Sequence, residues 1–316
     1  MQMRFDEANA AGGVHGRRIR LVVEDSGWDT KRGVLAASKL IDRDGAFALI
    51  NVLGSSIAVA TIPMALERKV LSLFPAAPVP ITYEPLSPYK FSLDTPYEQQ
   101  VPIGVRYLVK TAGYRKLGVV YQDDDFGRDV VKGLNAAIRE LELQPCEQVS
   151  FRRGATDFSS QVVRLKQAGC DLVVVGGSTR ETIGIMSEAR KLDWKPGFYV
   201  TASAYSDQLH KLGGAAVEGL YATVSFPHPY EDGASPALAA WIKAYKARFN
   251  AAPPPFSVSG YIKADLFLRA ADKAGPALTA ESMSKALEGL EYSGGKMFGV
   301  QAIRFGPDDH LGMRSL

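Results

Sequence analysis

The sequence predicts an α/β protein made of two doubly wound parallel-sheet lobes. Three observations lead there. Short apolar runs alternate with longer stretches at helical spacing along most of the 316 residues, a length that suffices for two domains with separate cores. Two such series are separated by an irregular segment rich in proline and tyrosine, residues 78–102. Small and hydroxyl residues recur where the apolar runs end, as βα turns require.

Taken in order, residues 1–7 read as helix, and residues 18–25 alternate apolar and polar as a strand does. Val34, Leu35, Ser38, Leu40 and Ile41 share a helical face within residues 29–42. Residues 47–52 form a buried strand ended by Gly54-Ser55-Ser56, and Ile57, Ala58, Thr61, Ile62 and Leu66 mark the next helix. Residues 70–74 are a strand closed by Pro75-Ala76-Ala77-Pro78, and residues 90–93 have strand character. The second series places strands at 116–121, 147–151, 171–177 and 197–201, with helices at 101–112, 127–141, 158–168 and 179–192. After an extended run at 219–224 come an irregular stretch and helices near 236–249, 256–274 and 280–290, then a strand-like piece at 300–305.

Composition excludes several functions. The hydrophobic fraction of 46% and charged fraction of 22% are ordinary for a globular chain. The formal net charge is +3, with no basic run interleaved with aromatics, so no nucleic-acid partner is expected. No apolar stretch is long enough to span a bilayer. Cys146 and Cys170 lack metal-ligand spacing. In a sheet of order 2-1-3 their strands flank a third, some 9–10 Å apart, so no disulfide is expected and both read as buried small hydrophobes.

Catalytic chemistry is hard to find. His15, His210, His228 and His310 are scattered and read as surface or turn residues. Asp123-Asp124-Asp125 reads as a solvated loop and helix start, not a metal site. Gly176-Gly177-Ser178-Thr179 lacks the spacing of a phosphate loop, and Gly54-Ser55-Ser56 is no nucleophile elbow. The reading therefore expects no enzyme, cofactor or metal. What remains is Ser55, Ser56, Ala76, Ala77, Ser178, Thr179 and Ser203 at carboxyl ends of strands, where open α/β sheets bind ligands and helix N-termini favour a carboxylate.

Several motifs then carry a resemblance over nearly the whole chain. They are Asn9-Ala10-Ala11-Gly12-Gly13-Val14-His15-Gly16-Arg17; Gly118-Val119-Val120-Tyr121 with Asp125-Phe126-Gly127; Thr156-Asp157-Phe158-Ser159; Gly176-Gly177; Glu218-Gly219; and Gly260-Tyr261-Ile262-Lys263-Ala264. In this order they resemble the type I periplasmic solute-binding proteins of ABC transporters, in the Leu/Ile/Val receptor group. The resemblance implies two lobes joined by a three-strand hinge that close on a small-molecule ligand. It places crossovers near 93–97, 225–228 and 292–295. The first lobe would be residues 1–94 plus 229–291, and the second 95–228 plus 292–316. A monomer is implied, periplasmic or extracellular, with a membrane permease as partner. Relative to the family, the first strand, the C-terminal end and any targeting segment are expected to lie outside these residues.

The resemblance also bears on the ligand. Ser55 matches a serine that binds an α-carboxylate in amino-acid receptors, whereas Pro78 stands where a second hydroxyl would. The acidic residues that hold the α-ammonium align with Tyr97 and Ala202, and a buried ammonium without a carboxylate is costly. Phe126 matches an aromatic over the ligand, and Tyr97 and Tyr205 would add aromatic walls. An aromatic or other apolar acid is therefore expected in place of a standard α-amino acid. The competing readings are a branched-chain amino-acid receptor and a ligand-sensing regulatory module of the same fold.

Overall fold

The computed structural model describes residues 1–314, and contacts divide it into two units, 1–94 with 226–314 and 95–225. In the second unit the βα alternation is regular. Strands β4 (Leu117–Gln122), β5 (Pro145–Phe151), β6 (Leu172–Gly176), β7 (Gly197–Val200) and β8 (Leu220–Ala222) form one parallel sheet of order β5-β4-β6-β7-β8. All of β6 and β7 is buried, as a parallel sheet covered on both faces demands. Helices α4 (Tyr97–Ala112), α5 (Asp125–Glu140), α6 (Ser159–Gln167) and α7 (Thr179–Lys191) connect and cover these strands, followed by the short α8 (Asp207–Gly213). Gly133 lets α5 settle on α4: a Cβ there would lie 2.9 Å from that of Val101.

In the first unit the sheet is smaller. Parallel strands β1 (Ala48–Ile50), β2 (Leu71–Leu73) and β3 (Lys90–Phe91) lie in that order. Around them run α1 (Gln2–Ala10), α2 (Thr30–Ser38) continued by a π-helical turn, and α3 (Ser55–Glu67). Later come α9 (Pro236–Phe249), α10 (Pro255–Ala274) and α11 (Ala280–Glu288), the first and last capped by the Ser235 and Thr279 hydroxyls. Beneath the sheet α10 is the main core helix, burying Val258, Ile262, Leu266 and Ala270.

Four expectations need correction. Residues 18–25 form no strand, because no ladder partner lies beside them; instead the Asn9 side chain grips Ile19, accepting from its N–H at 2.7 Å and donating to its carbonyl at 2.8 Å. Residues 292–314 belong to the first unit, not the second. There β9 (Glu291–Tyr292) pairs antiparallel with β10 (Ile303–Arg304), Phe305 packs on Phe74 and Phe91, and the Ser92 amide donates to the His310 carbonyl at 2.9 Å. Residues 315 and 316 lie outside the described residues. His310 is buried rather than superficial, its Nδ1 2.9 Å from the Lys90 carbonyl.

The fourth correction concerns the cysteines, which form a disulfide with Cα atoms 5.7 Å apart. Strand β4 does separate β5 from β6, as the spacing argument assumed. Cys170, however, sits in the turn that leads out of α6, ahead of β6, and that turn folds over β4 at Gly118. A Cβ on Gly118 would come within 2.8 Å of the Cys170 sulfur, so the absent side chain opens the path for the bridge.

Candidate functional site

In the first unit the proposed residues gather where β1 and β2 end. The chain leaves β1 through Asn51 at φ 59° and Gly54 at φ 105°, and α3 starts at once with Ser55. A parallel bridge joins Leu53 to Ala76, and the Ala76 amide donates to the Val52 carbonyl at 2.8 Å. Ser55 and Ser56 are thereby brought beside Ala76, Ala77 and Pro78; Ser55, Ala77 and Pro78 are buried. The first amides of α3 have no intrahelical acceptor and stand at the positive end of the helix dipole. This is an arrangement suited to an anion.

In the second unit the residues crown β4, β6 and β7. Asp124 caps α5, accepting from the Gly127 amide at 3.2 Å, and is bound in turn by Gln122 and Arg153. Gly127 is obligatory: a Cβ would overlap the Gln122 carbonyl. The cap fixes Phe126, whose ring lies 4.8 Å from that of Tyr97 at 62°, an edge-on contact of two buried aromatics.

Ser178 and Thr179 open α7, but their hydroxyls have partners within the unit. Ser178 donates both its amide and its hydroxyl to Glu181, and Thr179 lies 3.0 Å from the Ser206 hydroxyl. Burial would raise the Glu181 carboxyl, yet the hydrogen bonds from Ser178 and Arg180 outweigh it and hold it below its ordinary value. Ser203 pairs with the Thr201 hydroxyl at 2.9 Å. Ala202 and Tyr205 lie on the 3₁₀ turn after β7, both half-buried.

A residue that the sequence reading missed ties this end together. Gln100, 1% exposed, donates to the Thr95 carbonyl at 2.7 Å while its carbonyl accepts from the Ala202 amide at 3.1 Å. Tyr199 donates to the Gln100 backbone carbonyl at 3.0 Å and lies equally close to the Thr223 hydroxyl. One side chain thus holds the first turn of α4, which carries Tyr97, against the loop carrying Ala202. No periodicity announces such a residue; a glutamine on an otherwise apolar helix face was its only sequence signal.

Two parallel-sheet units, each presenting small residues and helix starts at its strand ends, define a protein that binds a small ligand. The whole chain, residues 1–316, belongs to the periplasmic binding protein family, whose members are receptors rather than enzymes. An amino acid binding protein of Pseudomonas aeruginosa is 25% identical over 291 residues, covering 90% of this chain and 75% of that protein. Leu/Ile/Val-binding protein homolog 1 of Brucella abortus is 25% identical over 269 residues, covering 85% and 71%. Among solved structures, the fatty acid ABC transporter substrate-binding protein of Thermomonospora curvata matches with a TM-score of 0.88 and 26% identity, covering 99% of this chain and 80% of that one.

Proposed function

We propose that the protein is an extracytoplasmic receptor that takes a small apolar carboxylate and delivers it to the permease of an ABC importer. The observation that carries the ligand class is the Tyr97–Phe126 aromatic pair, with proline and alanine at positions 78 and 202 where an amino-acid receptor needs polar groups. Within the first unit, Ser55, Ser56 and the first amides of α3 suit a carboxylate; within the second, Tyr97, Phe126 and Tyr205 suit an apolar group. The similar fatty-acid protein supports an apolar acid. The Cys146–Cys170 disulfide supports an oxidising compartment.

A thermal-shift series with 4-hydroxybenzoate, cinnamate, octanoate, leucine and valine tests the reading. An acid present at about 100 times its Kd adds about 2.7 kcal/mol of stability. Stabilisation by one of the three acids, lost in Ser55→Ala, is the expected result. The relatives named for amino acids favour a second reading, a branched-chain amino-acid receptor. Stabilisation by leucine or valine alone would establish that reading and overturn the assignment of Pro78 and Ala202.

A further inference from the structure

The turn that leads into Ser55 has an aromatic neighbour from a distant part of the first unit. Residues 25–29 form a closed loop ahead of α2: the Gly27 amide donates to the Asp25 carboxylate at 2.7 Å, and the Asp29 amide to the Ser26 carbonyl at 3.1 Å. Asp29 then caps α2, accepting from the Arg32 amide at 2.8 Å. Helix α2 lies tight against α3, since a Cβ on Gly33 would come within 2.7 Å of the Ile57 side chain. The loop is thereby fixed beside the start of α3, and it carries Trp28.

Two observations single out this indole. Its φ is 59°, a left-handed backbone that a bulky side chain adopts at a cost and glycine adopts freely. Strain of that kind persists where the surrounding structure holds it, and it clusters at ligand sites. The ring also lies against Gly54: a Cβ built there would sit 3.6 Å from the Trp28 Cζ3, and Gly54, at φ 105°, immediately precedes Ser55. Despite that contact Trp28 is 38% exposed, and Leu53, the residue before Gly54, is 53% exposed. Apolar surface thus stays open to solvent next to the turn that presents Ser55 and Ser56.

We propose that Trp28 is a specificity-determining residue of the site at Ser55, its indole forming the apolar wall against which the ligand's body lies. This role rests on the receptor reading proposed above and narrows its ligand class. A wall so close to the serines suits an acid whose flat apolar group lies within a few atoms of its carboxylate, an aryl carboxylate rather than a long-chain acid. An indole gives such a ring a rigid planar face at little entropic cost.

The test is calorimetric titration of the full chain with 4-hydroxybenzoate, cinnamate and octanoate, alongside thermal unfolding without ligand, in the native protein, Trp28→Gly and Trp28→Phe. The native chain should prefer an aryl acid to octanoate. Glycine suits the left-handed backbone, so Trp28→Gly should melt within about 2 °C of the native chain or above it. It should nevertheless bind the aryl acid at least about tenfold more weakly and lose the preference, while Trp28→Phe keeps most of both. Equal affinities in the native and Trp28→Gly chains would overturn the role of Trp28 and leave the receptor reading standing. A melting temperature lowered in step with affinity would also overturn it, making the indole a cover for the Gly54 turn. Binding of none of the three acids by the native chain would overturn the ligand class of the receptor reading and the role of Trp28 with it.

Discussion

Gln100 and Lys90 show how single buried polar groups hold each unit together. Replacing Gln100 by leucine keeps the volume but removes its hydrogen bonds to the buried Thr95 carbonyl and the half-buried Ala202 amide. We expect Gln100→Leu to cost about 1–3 kcal/mol in urea unfolding, and to weaken ligand binding through Tyr97. Lys90 is 1% exposed, its ammonium donating to the carbonyls of Ile81 and Glu84, each at 2.8 Å. Burial lowers it from 10.5 to about 8, with the Glu84 charge opposing in part. Between those two pH values the unfolded chain binds more protons at this site than the folded one. Its contribution to stability therefore rises as pH climbs from about 8 to 10.5. Urea midpoints at pH 7.5 and 10 should show that rise in the native chain, and Lys90→Met should remove it.

At the scale of elements, the disulfide and the glycine beneath it act as one device. The bridge joins residues 24 apart, and loop-closure entropy makes such a link worth about 3 kcal/mol. Replacing both cysteines by serine should lower stability by about that amount, with reducing agent reproducing the loss in the native chain. Gly118→Val should disturb the same place by overpacking, costing about 1–3 kcal/mol and making the disulfide easier to reduce. Here the sequence reading went wrong for an identifiable reason. It put Cys170 at strand level and counted strand spacings, whereas the residue lies in a turn that crosses over β4. The strand expected at 18–25 failed for a related reason, since alternation marks a segment able to pair but cannot supply its neighbour. The regular elements fared better: β6, α7 and β7 carry long apolar runs between turn residues, and local pattern suffices to place them.

At the scale of the whole molecule, the βα order was legible because turn residues separate the elements and the central strands β4, β6 and β7 are apolar and buried. The allotment of the C-terminal segment was not. Tyr292, Phe298, Ile303 and Phe305 join the first core through packing that no local pattern encodes. The same holds for the site: the hydroxyls at the strand ends could be read directly, but the partners that occupy Ser178 and Thr179 could not.

The two units also differ in how the chain supplies them: the second is continuous, residues 95–225, while the first is assembled from segments on either side of it. During synthesis or export, which run from the N-terminus, the second unit has all its strands in hand once Ser225 has emerged. The first must wait for α10 and for Phe305, so its early strands stay uncovered for the last third of the chain's passage. A chain stopped after Ser225 should therefore give a protease-resistant fragment beginning near Thr95, with residues 1–94 digested. Resistance spread evenly over both parts would mean that the first unit forms without its distant half.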